Sequence, residues 1–151
     1  GPDLPGSASC YTSDFFNIAK KKLKANGLFL VHVYGKKEDM NIVFKTLGTV
    51  FPYIKGFKAY KYTYFLLASQ SPFNLNKELA NKRLNKNKNL RKDASKCGIY
   101  SFDDLRKRSV LSDADFKEII KKEEIPVNTD INPVLEYKFH PKGENIFYAH
   151  F

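Results

Sequence analysis

The chain is expected to fold as an α/β domain carrying a helical appendage. Two observations give this class. Over residues 1–71, segments with helical and strand-like hydrophobic patterns follow in the order helix, strand, helix, strand, strand. After Pro72 the apolar strands stop, and amphipathic pieces rich in Lys and Asn take over. With 151 residues and 42% hydrophobic content there is room for one core of ordinary size.

The first helix is marked at both ends in "YTSDFFNIAKKKLKANG". Thr12 or Ser13 supplies a capping hydroxyl, and Asp14 suits the positive end of the helix dipole. Phe15, Phe16, Ala19 and Leu23 give a buried stripe. Lys20 to Lys24 favour the C-terminal end, and Gly27 is expected to take the left-handed stop conformation. "LFLVHVY", Leu28 to Tyr34, follows as a near-continuous apolar run, which predicts a strand buried on both faces. Gly35 ends it. Met40, Val43, Phe44, Leu47, Val50 and Phe51 then keep helical spacing until Pro52. "IKGFKAYKY" and "YFLLAS" are two strands close enough to pair antiparallel. Alternation places Tyr60, Tyr62 and Tyr64 on a shared face, with packing as their default role.

In the appendage, residues 72–126, helices are expected at 75–90, 102–108 and 113–122. Ser101 and Ser112 are suitable caps, the second with Asp115 three residues on. Residues 127–151 form a third section. There "VNTDINPVLEY" breaks a charged chain into a polar turn and an apolar tail. Asp130 or Asn128 is placed to bond its own backbone, and Pro133 fixes φ. Val134, Leu135 and Tyr137 then pack as a short extended tail on the same domain.

The net charge of +10 is unevenly spread. Lys77 to Arg108 hold eleven Lys or Arg against four Asp or Glu, a net of +7. A solvated helix face, with a compositional bias to Lys and Asn as in "NKRLNKNKNLRK", is the preferred reading. An electrostatic footprint for nucleic acid is the alternative. Cys10 and Cys97 lack CxxC spacing and a nearby His pair. They read as free thiols of a reducing compartment, with a disulfide or metal site as the alternative. No apolar run is long enough to span a membrane and the N-terminus does not read as a signal peptide, so a cytoplasmic location is expected.

The ordered pattern resembles a known family. "YTSDFFNIAKKKLKANGLFLVHVY" is similar to the segment after the catalytic loop of spermidine synthase-like proteins. There Tyr- or Phe-Thr, an acidic residue and an aromatic pair open a helix that ends in Leu-Lys-x-x-Gly. "VFPYIKGFKAYKYTYFLLAS" resembles their last two sheet strands, and "SFDDLRKRSVLSDADFKEII" their helical insertion. "NTDINPVLEY" looks like the Thr-Asp-x-x-Pro-x-Leu-Glu-Tyr ending of the longer members. The resemblance covers nearly the whole chain. It implies the C-terminal half of a Rossmann-like class I methyltransferase fold, strands 5-7-6 of a sheet ordered 3-2-1-4-5-7-6. The implied parent activity is aminopropyl or methyl transfer from an S-adenosylmethionine-type donor.

The same resemblance assigns site residues. "DLPGSA" is similar to the remnant of a catalytic Asp-x-x-Asp-Pro-x-Gly-Pro-Ala loop, in which Asp3 matches the second acidic residue and the first is absent. Transfer to an amine needs carboxylates that position it and accept its proton. Asp3 is therefore the catalytic candidate, with solvation as its bland alternative. His32 falls where polyamine-specific enzymes carry a substrate-touching glutamine. A His on an apolar strand is otherwise a satisfied core residue. Tyr62 lies in the place of a Tyr-Pro-Ser-Gly-x-Trp-Gly-Phe loop that is shortened here. Asp130 or Glu136 stands at a possible ligand mouth. His32, Tyr62 and Asp130 are the substrate-binding candidates, and a small cationic amine the implied substrate.

The donor half is not in this sequence. No glycine cluster follows a strand, and no ribose-binding acid is placed. No cofactor or metal is expected on this chain, and S-adenosylmethionine or its decarboxylated form belongs to the parent family. The chain alone is expected to be inactive. Its strand 28–34 should pair, through an open edge, with a second copy or with the missing N-terminal half. A basic nucleic-acid-binding module and a non-catalytic assembly remnant are the rival readings.

Overall fold

The computed structural model describes residues 6–138, and Asp3 lies outside them. A single 3-10 turn, Ala8–Tyr11, leads into helix α1, Ser13–Lys22. Strand β1 is Leu28–Tyr34 and helix α2 is Lys37–Val50. The hairpin strands are β2, Tyr53–Tyr60, and β3, Thr63–Ser69. Then come α3 (Lys77–Lys86), α4 (Lys88–Lys96), α5 (Phe102–Lys107), β4 (Ser109–Leu111), α6 (Asp113–Lys121) and α7 (Val134–Lys138). The fold is mixed α/β. Its sheet runs β1-β3-β2-β4, with every neighbouring pair antiparallel.

The first helix forms for the reasons its sequence suggests. The Thr12 hydroxyl accepts from the Phe15 N–H at 3.2 Å, and Asp14 sits in the first turn. Its end differs from expectation. The helix stops at Leu23, and the left-handed residue is Asn26 at φ 60, not Gly27. Asn tolerates that region because its short polar side chain bonds locally. Gly27 instead permits a close approach, since a Cβ there would lie 2.9 Å from the Lys24 carbonyl. Lys20 reaches across to the Val50 carbonyl at 2.8 Å and so ties the ends of α1 and α2 together.

The core lies on one face of the sheet. Val31 and Val33 of β1, Ile54 of β2, and Leu66 and Ala68 of β3 point into it. Phe16 of α1, the apolar face of α2, Phe116 of α6 and Leu135 of α7 cover them. Phe29 stacks on Phe51 with ring centroids 5.8 Å apart and takes the edge of Phe16. The core helices cover one face of β1 only, which corrects the expectation that it is buried on both faces. Leu28 and Leu30, on the other face, are each 57% exposed, and His32 is exposed with them. The apolar run reflects an open face as well as a core face.

The appendage also departs from expectation in two places. Residues 75–90 do not form one helix. Asn87 accepts from the Leu90 N–H at 3.0 Å and caps a new helix, α4, where α3 ends. Between α5 and α6 the chain extends as β4 and pairs with β2, Gly56 facing Leu111. A Cβ on Gly56 would meet the Leu111 Cβ at 2.8 Å, so this glycine is what lets β4 approach. Ser101 and Ser112 cap α5 and α6, the latter with the reciprocal Asp115 box.

The stretch "VNTDINPVLEY" is organised by burial of one amide. Asn128 is fully buried. Its Nδ2 donates to the carbonyls of Ala8 (3.1 Å) and Tyr11 (3.2 Å), and its Oδ1 accepts from the Leu135 N–H at 3.3 Å. Asn128 therefore does not close its own turn. Thr129 does: its N–H bonds the Asn132 carbonyl, and its hydroxyl accepts from the Asn132 N–H at 2.9 Å. The expected extended tail is corrected for residues 134–138, which are helical; Leu135 is buried and Tyr137 exposed. The rest of the expected tail, 139–151, lies outside the described residues.

Candidate functional site

The carboxyl end of β1 opens into a concavity. Tyr34 closes the strand opposite Thr63 of β3. Gly35 then turns at φ 137, a conformation open to glycine, and its N–H donates to the Tyr62 carbonyl at 3.2 Å. That bond holds the β2–β3 turn against the start of α2. A cavity of about 550 Å³ results, lined by Tyr34, Gly35, Lys36, Lys37, Glu38, Tyr62 and Thr63. The first turn of α2 adds N–H groups and positive potential to this concavity.

The candidates named from sequence separate here. Tyr62 lines the cavity and is about half exposed, with Lys61 Nζ 5.1 Å from its ring centre. His32 is next to it but does not line it. Its ring lies 5.6 Å from Tyr34 and stacks on Phe65 at 4.9 Å. It is exposed, so the satisfied-core alternative is wrong for it. Asp130 is exposed and outside the lining; its N–H is held by the Asp14 carboxylate at 2.9 Å. Glu136 accepts from the Gly6 N–H at 3.4 Å. The three tyrosines do not share a face. A turn falls between Tyr60 and Thr63, so Tyr60 and Tyr62 are exposed while Tyr64 packs edge-on against Phe44.

Tyr34, Lys36 and Lys37 are lining residues that the sequence reading does not single out. The signal was present in "YGKKED": a strand-ending glycine, two cations, then an acidic first turn. The lining carries two lysines against one carboxylate, which works against a small cationic amine. The described residues also do not fit an adenosine-type donor. Gly35 stands alone at its turn, and the one acid of the lining, Glu38, belongs to the helix.

Cys10 and Cys97 are free and exposed. Among the described residues no group of His, Cys, Asp and Glu is arranged to hold a metal ion. Among them, too, no helix is long and apolar enough to cross a membrane. Compared with models of protein families and with curated proteins, the chain matches none.

Proposed function

We propose that the chain is the C-terminal part of a spermidine synthase-like transferase domain, of the class that moves an aminopropyl or methyl group from an S-adenosylmethionine-type donor. The observation that carries this reading is strand order. β1-β3-β2, with β3 antiparallel to both neighbours, is the order that strands 5, 7 and 6 take in such a sheet. β1 at the free end lies where a further strand would pair. The cavity at the carboxyl end of β1, with Tyr62 from the hairpin, supports an acceptor site on this side. Strand β4 and helices α3 to α5 stand outside the correspondence. The charge of the lining favours a neutral or anionic acceptor over a polyamine.

In this reading the chain contributes acceptor contacts and lacks the donor site, so it is inactive alone. The rest of the sheet comes from the missing N-terminal half or from a second copy. The direct test is the coding sequence upstream of Asp3. A strand, a Gly-rich turn and a following acidic residue are expected there; a different fold class would overturn the reading. Calorimetry on the chain alone should show no S-adenosylmethionine binding, and micromolar affinity would contradict the half-domain assignment.

A further inference from the structure

The open face of the sheet carries a strip of rings. His32 in β1 is the register partner of Phe65 in β3, and Phe57 in β2 is the partner of Phe65 on the other side. Cross-strand partners share a face, so the three rings lie on one face across three strands. His32 and Phe65 are stacked 24° from parallel, and Phe65 keeps 38% of its surface exposed.

At its β2 end the strip enters a second cavity, of about 610 Å³, closed on one side by the segment that joins α4 to α5. Phe57, Phe65, Cys97 and Arg108 line it. The lining includes three basic residues, Lys58, Lys96 and Arg108, and no carboxylate. Arg108 is fixed in place. Its guanidinium donates to the Cys97 carbonyl, and its own carbonyl accepts from the Lys58 N–H at 2.9 Å just before β4 begins.

Exposed rings alone would accept any apolar surface. Charge decides between occupants. A second copy seated on this same face would set Arg108 and Lys96 against like charges on a chain of net charge +10. A planar anion meets both requirements: stacking on aromatic faces contributes about 1–3 kcal/mol per base, without sequence preference. Guanidinium groups in turn match phosphate oxygens in pairs.

We propose that this strip and the cavity at its end bind a planar aromatic ring carrying a phosphate, the ring against Phe57 and Phe65 and the phosphate on Arg108. A free nucleotide and a single-stranded nucleic acid both present that chemistry. Such a site does not depend on the transferase reading.

The chain holds its own probe. Cys97 lines the cavity, while Cys10, equally free, sits in the 3-10 turn before α1 and is not part of the lining. Alkylation of both thiols by iodoacetamide, followed by mass spectrometry, reads occupancy of the cavity. Uridine monophosphate should slow Cys97 about threefold at twice its dissociation constant and leave Cys10 unchanged. Uridine or inorganic phosphate alone should protect less at the same concentration. Phe65→Ala and Arg108→Gln should each remove the protection. Should Arg108→Gln fail to fold, Lys96→Gln on the exposed surface of α4 should weaken it. A uridine octamer that protects at lower concentration than the monophosphate identifies a nucleic-acid strand as the source; one that protects no better identifies the free nucleotide. An unchanged Cys97 rate with millimolar monophosphate and octamer, or equal slowing by phosphate alone, would overturn the proposal.

Discussion

The backbone N–H of Asn128 donates to the Thr46 hydroxyl at 2.9 Å, joining the polar turn before α7 to the middle of α2 across 82 positions of sequence. The Thr46 hydroxyl donates in turn to the Ile42 carbonyl at 2.7 Å. Both residues are fully buried. Around them the amide of Asn128 satisfies the turn before α1 and the start of α7. One buried residue, through its side chain and its backbone N–H, therefore fastens three separate stretches of chain.

Asn128→Ala should destabilise the fold strongly. The carbonyls of Ala8 and Tyr11 and the N–H of Leu135 would lose their partner away from water. A loss of about 2–3 kcal/mol is expected, in line with the cost of unsatisfied buried groups. Thr46→Val should cost about 1–2 kcal/mol through the Asn128 N–H alone. Asn128→Ala keeps the backbone N–H that Thr46 accepts, so the two variants remove different bonds and the double variant should come close to the sum. Urea denaturation midpoints with unchanged slopes measure all three.

Gly56 makes a second, local demand. Its missing Cβ is the space taken by the Leu111 Cβ at 2.8 Å. That atom is anchored to the β4 backbone, so it cannot swing aside as a side-chain tip would. Gly56→Val should cost about 1–3 kcal/mol by overpacking. Hydrogen exchange should accelerate first in the backbone of β4 and at the Lys58 amide, which donates to Arg108. Equal protection there in the variant would show that β4 does not depend on this contact.

These two residues show what the sequence could convey. Period and caps are local properties, so α1, α2 and the β2–β3 hairpin were legible from residues a few positions apart. Asn128 was visible as a turn former, but its partners are Ala8, Tyr11, Thr46 and Leu135, and no local rule joins them. β4 was not legible because three residues carry no period, and its pairing is fixed by a glycine more than fifty positions earlier. For the site, Tyr62 was named from sequence. Tyr34, Lys36 and Lys37 reach the same cavity only through the Gly35 to Tyr62 bond. The open face of β1 is not legible, because an apolar run looks the same whether one face or both are covered.

The caps of α5 and α6 should make stability fall in acid. Ser101 and the Tyr100 N–H hold the Asp104 carboxyl below its ordinary range, and Ser112, through its hydroxyl and its N–H, does the same for Asp115. A bond from Lys77, with nearby cations, lowers Asp103. A depressed folded pKa means that the unfolded chain binds the proton first. The contribution is therefore complete above the unfolded value of about 3.9 and fades as pH falls through the folded values. Thermal melting between pH 6 and pH 3 should show a drop at the acid end. Asp104→Asn together with Asp115→Asn should flatten that drop, and an unaltered profile would count against this assignment.

The edge of β1 is the last feature to test. β1 pairs with β3 along its whole length, Leu28 with Ser69 through Tyr34 with Thr63, without a bulge. Among the described residues its other edge has no strand partner. Natural edges carry Lys, Pro or bulges that deter pairing, and "LFLVHVY" has none. About half the backbone groups of such a strand point away from β3 and would offer hydrogen bonds to an incoming strand, although the His32 carbonyl among them already accepts from the Tyr11 hydroxyl at 3.0 Å, which that strand would displace. An antiparallel copy centred on Val31 would extend the sheet, keep Val31 and Val33 on the core side, and continue the apolar face of Leu28 and Leu30. Sedimentation equilibrium at tens of micromolar should accordingly report dimers. Leu30→Lys should return the chain to a monomer, with a melting temperature that no longer rises with protein concentration as that of the dimeric parent should. Hydrogen exchange gives a second reading: the outward amides of residues 28–34 should be protected in the dimer and exchange quickly in the Leu30→Lys monomer. A parent chain that stays monomeric, with those amides fast, would mean that β1 is a true free edge and that the sheet is not completed by a second copy.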